Sequence, residues 1–172
     1  MPPTIVRAFV PALACLLVTH TGAHAQTWKK HRYATDGFEV TFSGDVKVTP
    51  TQIDAETKKR VVRATDYQQD GGDVVYIVGA SLVVVEVKFD NGVKQSFAAL
   101  KCKTTTRDTA LALCAGRGRE VHGTECHDGN FRVEARYYTR GKWFYQVIAL
   151  FKKGGGHERG ARTFVESFKV ID

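Results

Sequence analysis

The sequence contains no G-x-S-x-G, no C-x-x-C and no H-E-x-x-H. The first absence removes the nucleophile elbow of the α/β-hydrolases. The second removes the dithiol redox motif, and the third the two-histidine zinc helix of the metalloproteases. Beyond residue 25 no apolar stretch is long enough to cross a bilayer. No repeat, low-complexity tract or linker divides the rest, so it reads as one domain. His31, His122, His127 and His157 are scattered, and none is set against a nucleophile in a catalytic arrangement. These absences predict a protein that is not an enzyme, carries no cofactor and does not span the membrane.

What is present begins with an N-terminal leader. Arg7 gives a short positive start, AFVPALACLLV is apolar, and Ala23-His24-Ala25 is a small-x-small cleavage pattern. Together these form a secretory signal peptide over residues 1–25, cut between Ala25 and Gln26. Lipidation at Cys15 is the alternative, but the apolar run continues through Leu16, Leu17 and Val18, where a lipoprotein should already turn polar. Removing 25 of the 172 residues leaves 147, enough for one domain with a substantial core. The formal net charge falls from +7 to +6, since Arg7 is the leader's only charged residue. A basic, exported chain suits an envelope protein or an anionic envelope component as partner. Nucleic acid is not expected, because export separates the chain from it and no recognition motif occurs. The expected location is the periplasm or the exterior.

Residues 26–172 are rich in strand patterns. In GFEVTF, Phe38, Val40 and Phe42 alternate with polar residues, the mark of a half-buried strand. KKRVVRATDYQQ and VVYIV flank DGGD, a hairpin signal. LVVVEVKF (82–89) reads as a further strand with Gly79 as a bulge before it, and Val93, Phe97 and Leu100 follow at helical spacing. TALALC suits a short strand. REVHGTEC and NFRVEARYYT flank Asp128-Gly129, among the strongest short hairpin cues. KWFYQVIALF is apolar on both faces, as a strand in a sheet covered on both sides must be. Ala161, Phe164, Val165 and Phe168 then form the apolar stripe of a C-terminal helix. The order of elements gives an α+β fold with a mostly antiparallel sheet.

DGFEVTF, GREVHG, RYYTRGKWFYQVIAL and RTFVESFKV together resemble the small exported bacterial proteins with a PsbP-like fold. The resemblance implies an antiparallel sheet flanked by helices on both faces, an α/β/α sandwich. It also implies a non-enzymatic accessory or binding role and supplies no catalytic residue. The middle, from about Lys58 to Thr109, matches only in its order of elements.

Three stretches are candidate sites. Cys114, His122 and Cys126 share parity and would share one strand face, but twelve residues of strand span about 40 Å, too far for one metal ion. No metal site is therefore expected. Export leaves Cys102, Cys114 and Cys126 in an oxidising compartment, where one bridge and one free thiol are expected. If TALALC pairs with REVHGTEC through AGRG, residue 114 sits near 119 and residue 126 near Arg107, five residues from Cys102. That register predicts a Cys102–Cys126 disulfide with Cys114 free. GGGHERGART, with Lys152 and Lys153 before it, has the context of an anion cradle at a helix N-terminus but lacks the P-loop lysine. Across the Asp-Gly hairpin, Glu125 is expected opposite Arg132, and Val121 opposite Arg136. Tyr137, Tyr138, Trp143, Phe144 and Tyr145 read as core packing, with a ligand groove as the alternative. That groove would suit a small-ligand or lipid carrier, the runner-up to a partner-binding protein.

Overall fold

A computed structural model describes residues 27–84, 88–113 and 115–171. The expected leader, its cleavage point at Ala25-Gln26 and Cys114 lie outside the described residues. Ten strands and two α-helices follow in order: β1 (Lys29–Tyr33), β2 (Phe38–Phe42), β3 (Lys47–Pro50), β4 (Val61–Asp70), β5 (Val74–Val83), α1 (Phe89–Ala99), β6 (Thr104–Leu111), β7 (Arg117–Cys126), β8 (Phe131–Arg140), β9 (Trp143–Lys152), α2 (Glu158–Ser167) and β10 (Lys169–Val170). Seven of them form an antiparallel sheet in the order β3-β4-β5-β9-β8-β7-β6, and β1, β2 and β10 form a second, smaller sheet.

β9, the doubly apolar run, is the middle strand of seven. Successive side chains of a strand point to opposite faces. Accordingly Tyr145, Val147, Ala149 and Phe151 join one core cluster, while Phe144 and Ile148 join the other. The first cluster takes Phe38, Val40 and Phe42 from β2, and Ala161, Phe164, Val165 and Phe168 from α2 and its end. Aromatic rings knit it together, with Phe164 centred 4.8 Å from Tyr76 and 5.1 Å from Phe42. Asp36, buried between β1 and β2, ties the small sheet to the large one. Its carboxylate accepts from Arg63 and from the Tyr67 hydroxyl at 2.5 Å, and its carbonyl accepts from the Tyr145 hydroxyl at 2.9 Å. The second cluster holds Phe89 and Val93 of α1 against Val121, Val133, Ala135 and Tyr137.

The fold is therefore mostly antiparallel sheet with two helices. An even sandwich between helices is too simple, because a second sheet shares the first face with α2. The partners of β2 in the small sheet left no sequence signal: KKHRY does not alternate, and β10 has two residues.

Three local expectations are corrected. VVYIV and the start of LVVVEVKF form one ten-residue strand, β5, and α1 begins at Phe89. Gly79 is not a bulge. It pairs in register with Asp66 and Gln146, where an added Cβ would meet the Asp66 carboxylate at 3.4 Å; the irregularity lies between Val61 and Arg63. The β7–β8 register shifts by one residue at a bulge between Thr124 and Cys126, where Glu125 takes φ 54°. Hence Thr124 faces Arg132, Val121 faces Ala135, and Arg136 faces Glu120. A one-residue slip reverses which face each side chain takes, and here it creates the charged cluster described next.

Candidate binding site

The first face changes character along β7 and β8. Near β9 it is apolar and closed; toward β6 it carries charge. Past the bulge, Glu120 and His122 of β7 lie opposite Arg136 and Glu134 of β8, and Arg107 of β6 lies opposite His122. α2 lies over these five with Arg162 and Glu166, and the groups line a depression of about 170 Å³ walled on one side by Val165.

Glu120, 5% exposed, is the hub. Arg107 Nε lies 2.6 Å from one oxygen, and Arg136 donates through Nε at 2.7 Å to the other. His122 Nε2 stands 3.2 Å from the first oxygen. Arg136 also reaches to 3.5 Å from Glu166 on α2. Burial pushes the His122 pKa down, and the Arg107, Arg136 and Arg162 charges add to this against the opposing pull of Glu120. The imidazole is thus held toward its neutral form. Glu134 is 8% exposed, and burial pushes its carboxyl pKa up. Unlike Glu120, it makes no hydrogen bond and no ion pair within 4.0 Å among the described residues.

The sequence singled out His122 but gave it no partner, and it passed over Glu120, Glu134 and Arg162. The available signal was polar alternation, Glu120-Val121-His122 on β7 and Val133-Glu134-Ala135-Arg136 on β8, the strand adjoining the apolar β9. Misplacing Arg136 opposite Val121 concealed it.

The other candidates resolve separately. The sulfurs of Cys102 and Cys126 lie 2.08 Å apart, at disulfide distance. The register behind that pairing is corrected: Arg107 faces His122, and Leu111 faces Gly118. β6 begins five residues before TALALC, so residue 126 comes opposite 102 rather than 107. The Lys103 N–H donates to Glu125 O at 3.4 Å and the His127 N–H to Leu100 O at 3.3 Å, so backbone bonds bracket the cysteines. His122 and Cys126 are not brought together, since the bulge turns Cys126 into the second core cluster. Among the described residues no three His, Cys, Asp or Glu groups are placed to hold a metal ion.

The glycine-rich turn does not form the anion cradle. Lys152 Nζ turns to Asp73 at 3.5 Å, and the first turn of α2 carries Glu158, an acid where an anion would bind. The aromatic run divides across the sheet, Tyr138 and Tyr145 to one core cluster, Tyr137 and Phe144 to the other. It is packing and lines no common groove. Larger hollows lie on both faces, one of about 300 Å³ beside Tyr138 and Phe168 on the first and one of about 440 Å³ beside α1 on the second. Of the four charged residues lining the hollow beside α1, Asp90, Asp108 and Arg119 are paired with one another near the surface, and Lys94 is exposed.

No protein-family model matches the sequence, and no curated protein matches it. Solved structures do match. The solution structure of cyanobacterial PsbP (CyanoP) from Synechocystis sp. PCC 6803 is similar over 90% of this chain and 99% of that one, with a TM-score of 0.56 and 11% identity. That likeness is one of fold.

Proposed function

We propose that this chain, whose fold is PsbP-like, is an exported, non-enzymatic accessory protein of the bacterial envelope. Its partner is another envelope protein or an anionic envelope component, and a protein partner docks at the charged depression formed by β6, β7, β8 and α2. The observation that carries this reading is the state of Glu120. Polar groups from three strands and a helix converge, as an active site would require, yet the central carboxylate is held by two arginines and a histidine. A carboxylate so neutralised has little capacity left as a general base, whereas the surrounding rim offers both signs of charge to a docking surface. Export rests on the leader in residues 1–25, and Cys102 and Cys126 at disulfide distance suit an oxidising compartment. Cys114 is then the free thiol.

The carrier alternative needs an apolar cavity of several hundred Å³ between sheet and C-terminal helix. Phe38, Phe42 and Phe164 fill that space with no exposure, so a carrier would have to use a hollow nearer the surface, such as the one beside α1.

Two measurements test the proposal. The mass of the protein recovered from the envelope should correspond to a chain beginning at Gln26. A photo-cross-linking amino acid placed at exposed position 162 should give an adduct of discrete mass, while one placed at position 94 on α1 should not. Adducts at 94 alone would transfer the reading to the carrier, and adducts at neither position would remove it.

A further inference from the structure

Glu134 is a buried carboxyl with no hydrogen bond or ion pair among the described residues; Arg162 and Arg132 act on it only at longer range. It is 8% exposed and opens into the depression beneath α2. Burying an ionised carboxylate is costly unless hydrogen-bond donors replace the lost water. Each neighbouring cation is committed elsewhere or stands back. Arg107 and Arg136 are held by Glu120, and Arg132 donates to Glu158 at 3.2 Å. Arg162 is exposed at the rim and makes no ion pair within 4.0 Å among the described residues. His122 is held toward its neutral form and faces Glu120. The depression therefore has a spare inner acceptor and no spare inner donor.

An anion entering it would meet Glu134 and Glu166 with only Arg162 uncommitted, because Arg107 and Arg136 are held by Glu120. A metal ion would need several ligands converging on one point, which the described residues do not supply. What fits is an organic cation with an apolar stem: the head group donates to Glu134 and the methylenes lie along Val165, the depression's apolar wall.

We propose that this depression is a binding site for an alkylammonium or alkylguanidinium group, with Glu134 as its counter-ion. The group is the end of a lysine or arginine side chain or a free amine. Arg162, the rim cation, opposes its entry. The inference concerns the same surface as the proposed accessory role but needs no partner, so the two can fail separately.

The test is an NMR titration of the purified protein at low ionic strength with n-butylammonium chloride, matched by sodium chloride. Saturable shifts are expected at the amides around 122, 134 and 162. Glu134→Gln, nearly the same shape, should weaken binding at least tenfold. Arg162→Ala, at an exposed position where folding is not at stake, should tighten it at least threefold. Glu166→Gln on the rim should change it less than threefold. Sodium chloride reproducing the shifts overturns the proposal, as does wild-type affinity in Glu134→Gln or a loss confined to Glu166→Gln. A capped Gly-Lys-Gly peptide binding at least tenfold tighter than butylammonium identifies the source as a protein side chain; equal affinity identifies a free amine. If butylammonium does not bind while the adduct at 162 persists, this inference fails and the accessory reading stands.

Discussion

The two faces of the seven-stranded sheet each carry a charge network, and the networks differ in burial. On the first face Glu120 holds Arg107 and Arg136 with its side chain 6% exposed. On the second face Arg119 bridges Asp90 and Asp108, whose side chains are 59% and 43% exposed. The chemistry is nearly the same, carboxylates and guanidinium groups at 2.5–3.1 Å. Water makes the difference. In the exposed network solvent screens each pair and replaces any lost partner; in the buried one a removed partner leaves a charge with nothing to solvate it. Only the buried network can therefore specify how α2 and β6–β8 fit together.

The largest expected effect follows from breaking the buried hub. Glu120→Gln leaves Arg136, 19% exposed, with only the Glu166 carboxylate at 3.5 Å as counter-charge. It should lower unfolding free energy by about 3–5 kcal/mol, read by urea denaturation. Replacing the buried pair, Glu120→Leu with Arg136→Met, should recover most of that loss, because the charge left without Glu120, Arg107, is 52% exposed and water solvates it. A double variant as unstable as Glu120→Gln would show that shape, not charge pairing, sets the cost.

Next comes the covalent tie on the second face. Cys102 and Cys126 are 24 residues apart in sequence and join the chain after α1 to the end of β7. If the bond forms, replacing both with serine should cost about 3 kcal/mol through the freedom regained by the unfolded chain. Gly123 sharpens this point. A Cβ there would lie 2.7 Å from Cys102 Sγ and 2.8 Å from Phe97, so Gly123→Ala should destabilise the oxidised protein by about 1–3 kcal/mol. A reducing agent that leaves the melting temperature unchanged would remove the bridge from the account.

How much of this was legible in the sequence depends on the range of the interaction concerned. β2, the Asp128-Gly129 hairpin, β9 and α2 announce themselves through local periodicity, and each stands where the pattern put it. The Cys102–Cys126 pair was named from a register four residues in error. The two sulfurs still come to disulfide distance, because both cysteines lie near the same end of the β6–β7 ladder in either register. The charged cluster was not legible. It depends on the single extra residue at Glu125, which no periodicity reveals and which reverses the faces of everything N-terminal to it on β7. The pairing of β2 with β1 and β10 was also hidden, since both partners are short and gain their order from contacts distant in sequence.

Between the two networks stands Glu134, buried like Glu120 but unpaired, and its titration distinguishes the two conditions. Burial raises its pKa, so the native state holds the proton more tightly than the unfolded chain. As pH rises from the ordinary glutamate range through the native value, the native state must ionise a buried group, and stability falls. This is the reverse of the behaviour of a salt-bridged carboxylate. Glu134→Gln should thus melt higher than the wild type at pH 7, with the difference closing toward pH 4. A difference equal at both pH values would mean that shape rather than charge separates them.

The smallest effect belongs to the exposed network. Arg119→Gln removes the guanidinium from both Asp90 and Asp108. The loss should stay below about 1 kcal/mol at low salt, as for exposed pairs generally. It should also shrink in 1 M salt, where the screening length is about 3 Å. Burial shields Glu120 from the same ions, so the cost of Glu120→Gln should persist there. The comparison is therefore sharpest as a salt series on two variants: if their losses fade in parallel, water reaches the first-face hub as readily as it reaches the second face, and the hub cannot be what fixes α2 against the sheet.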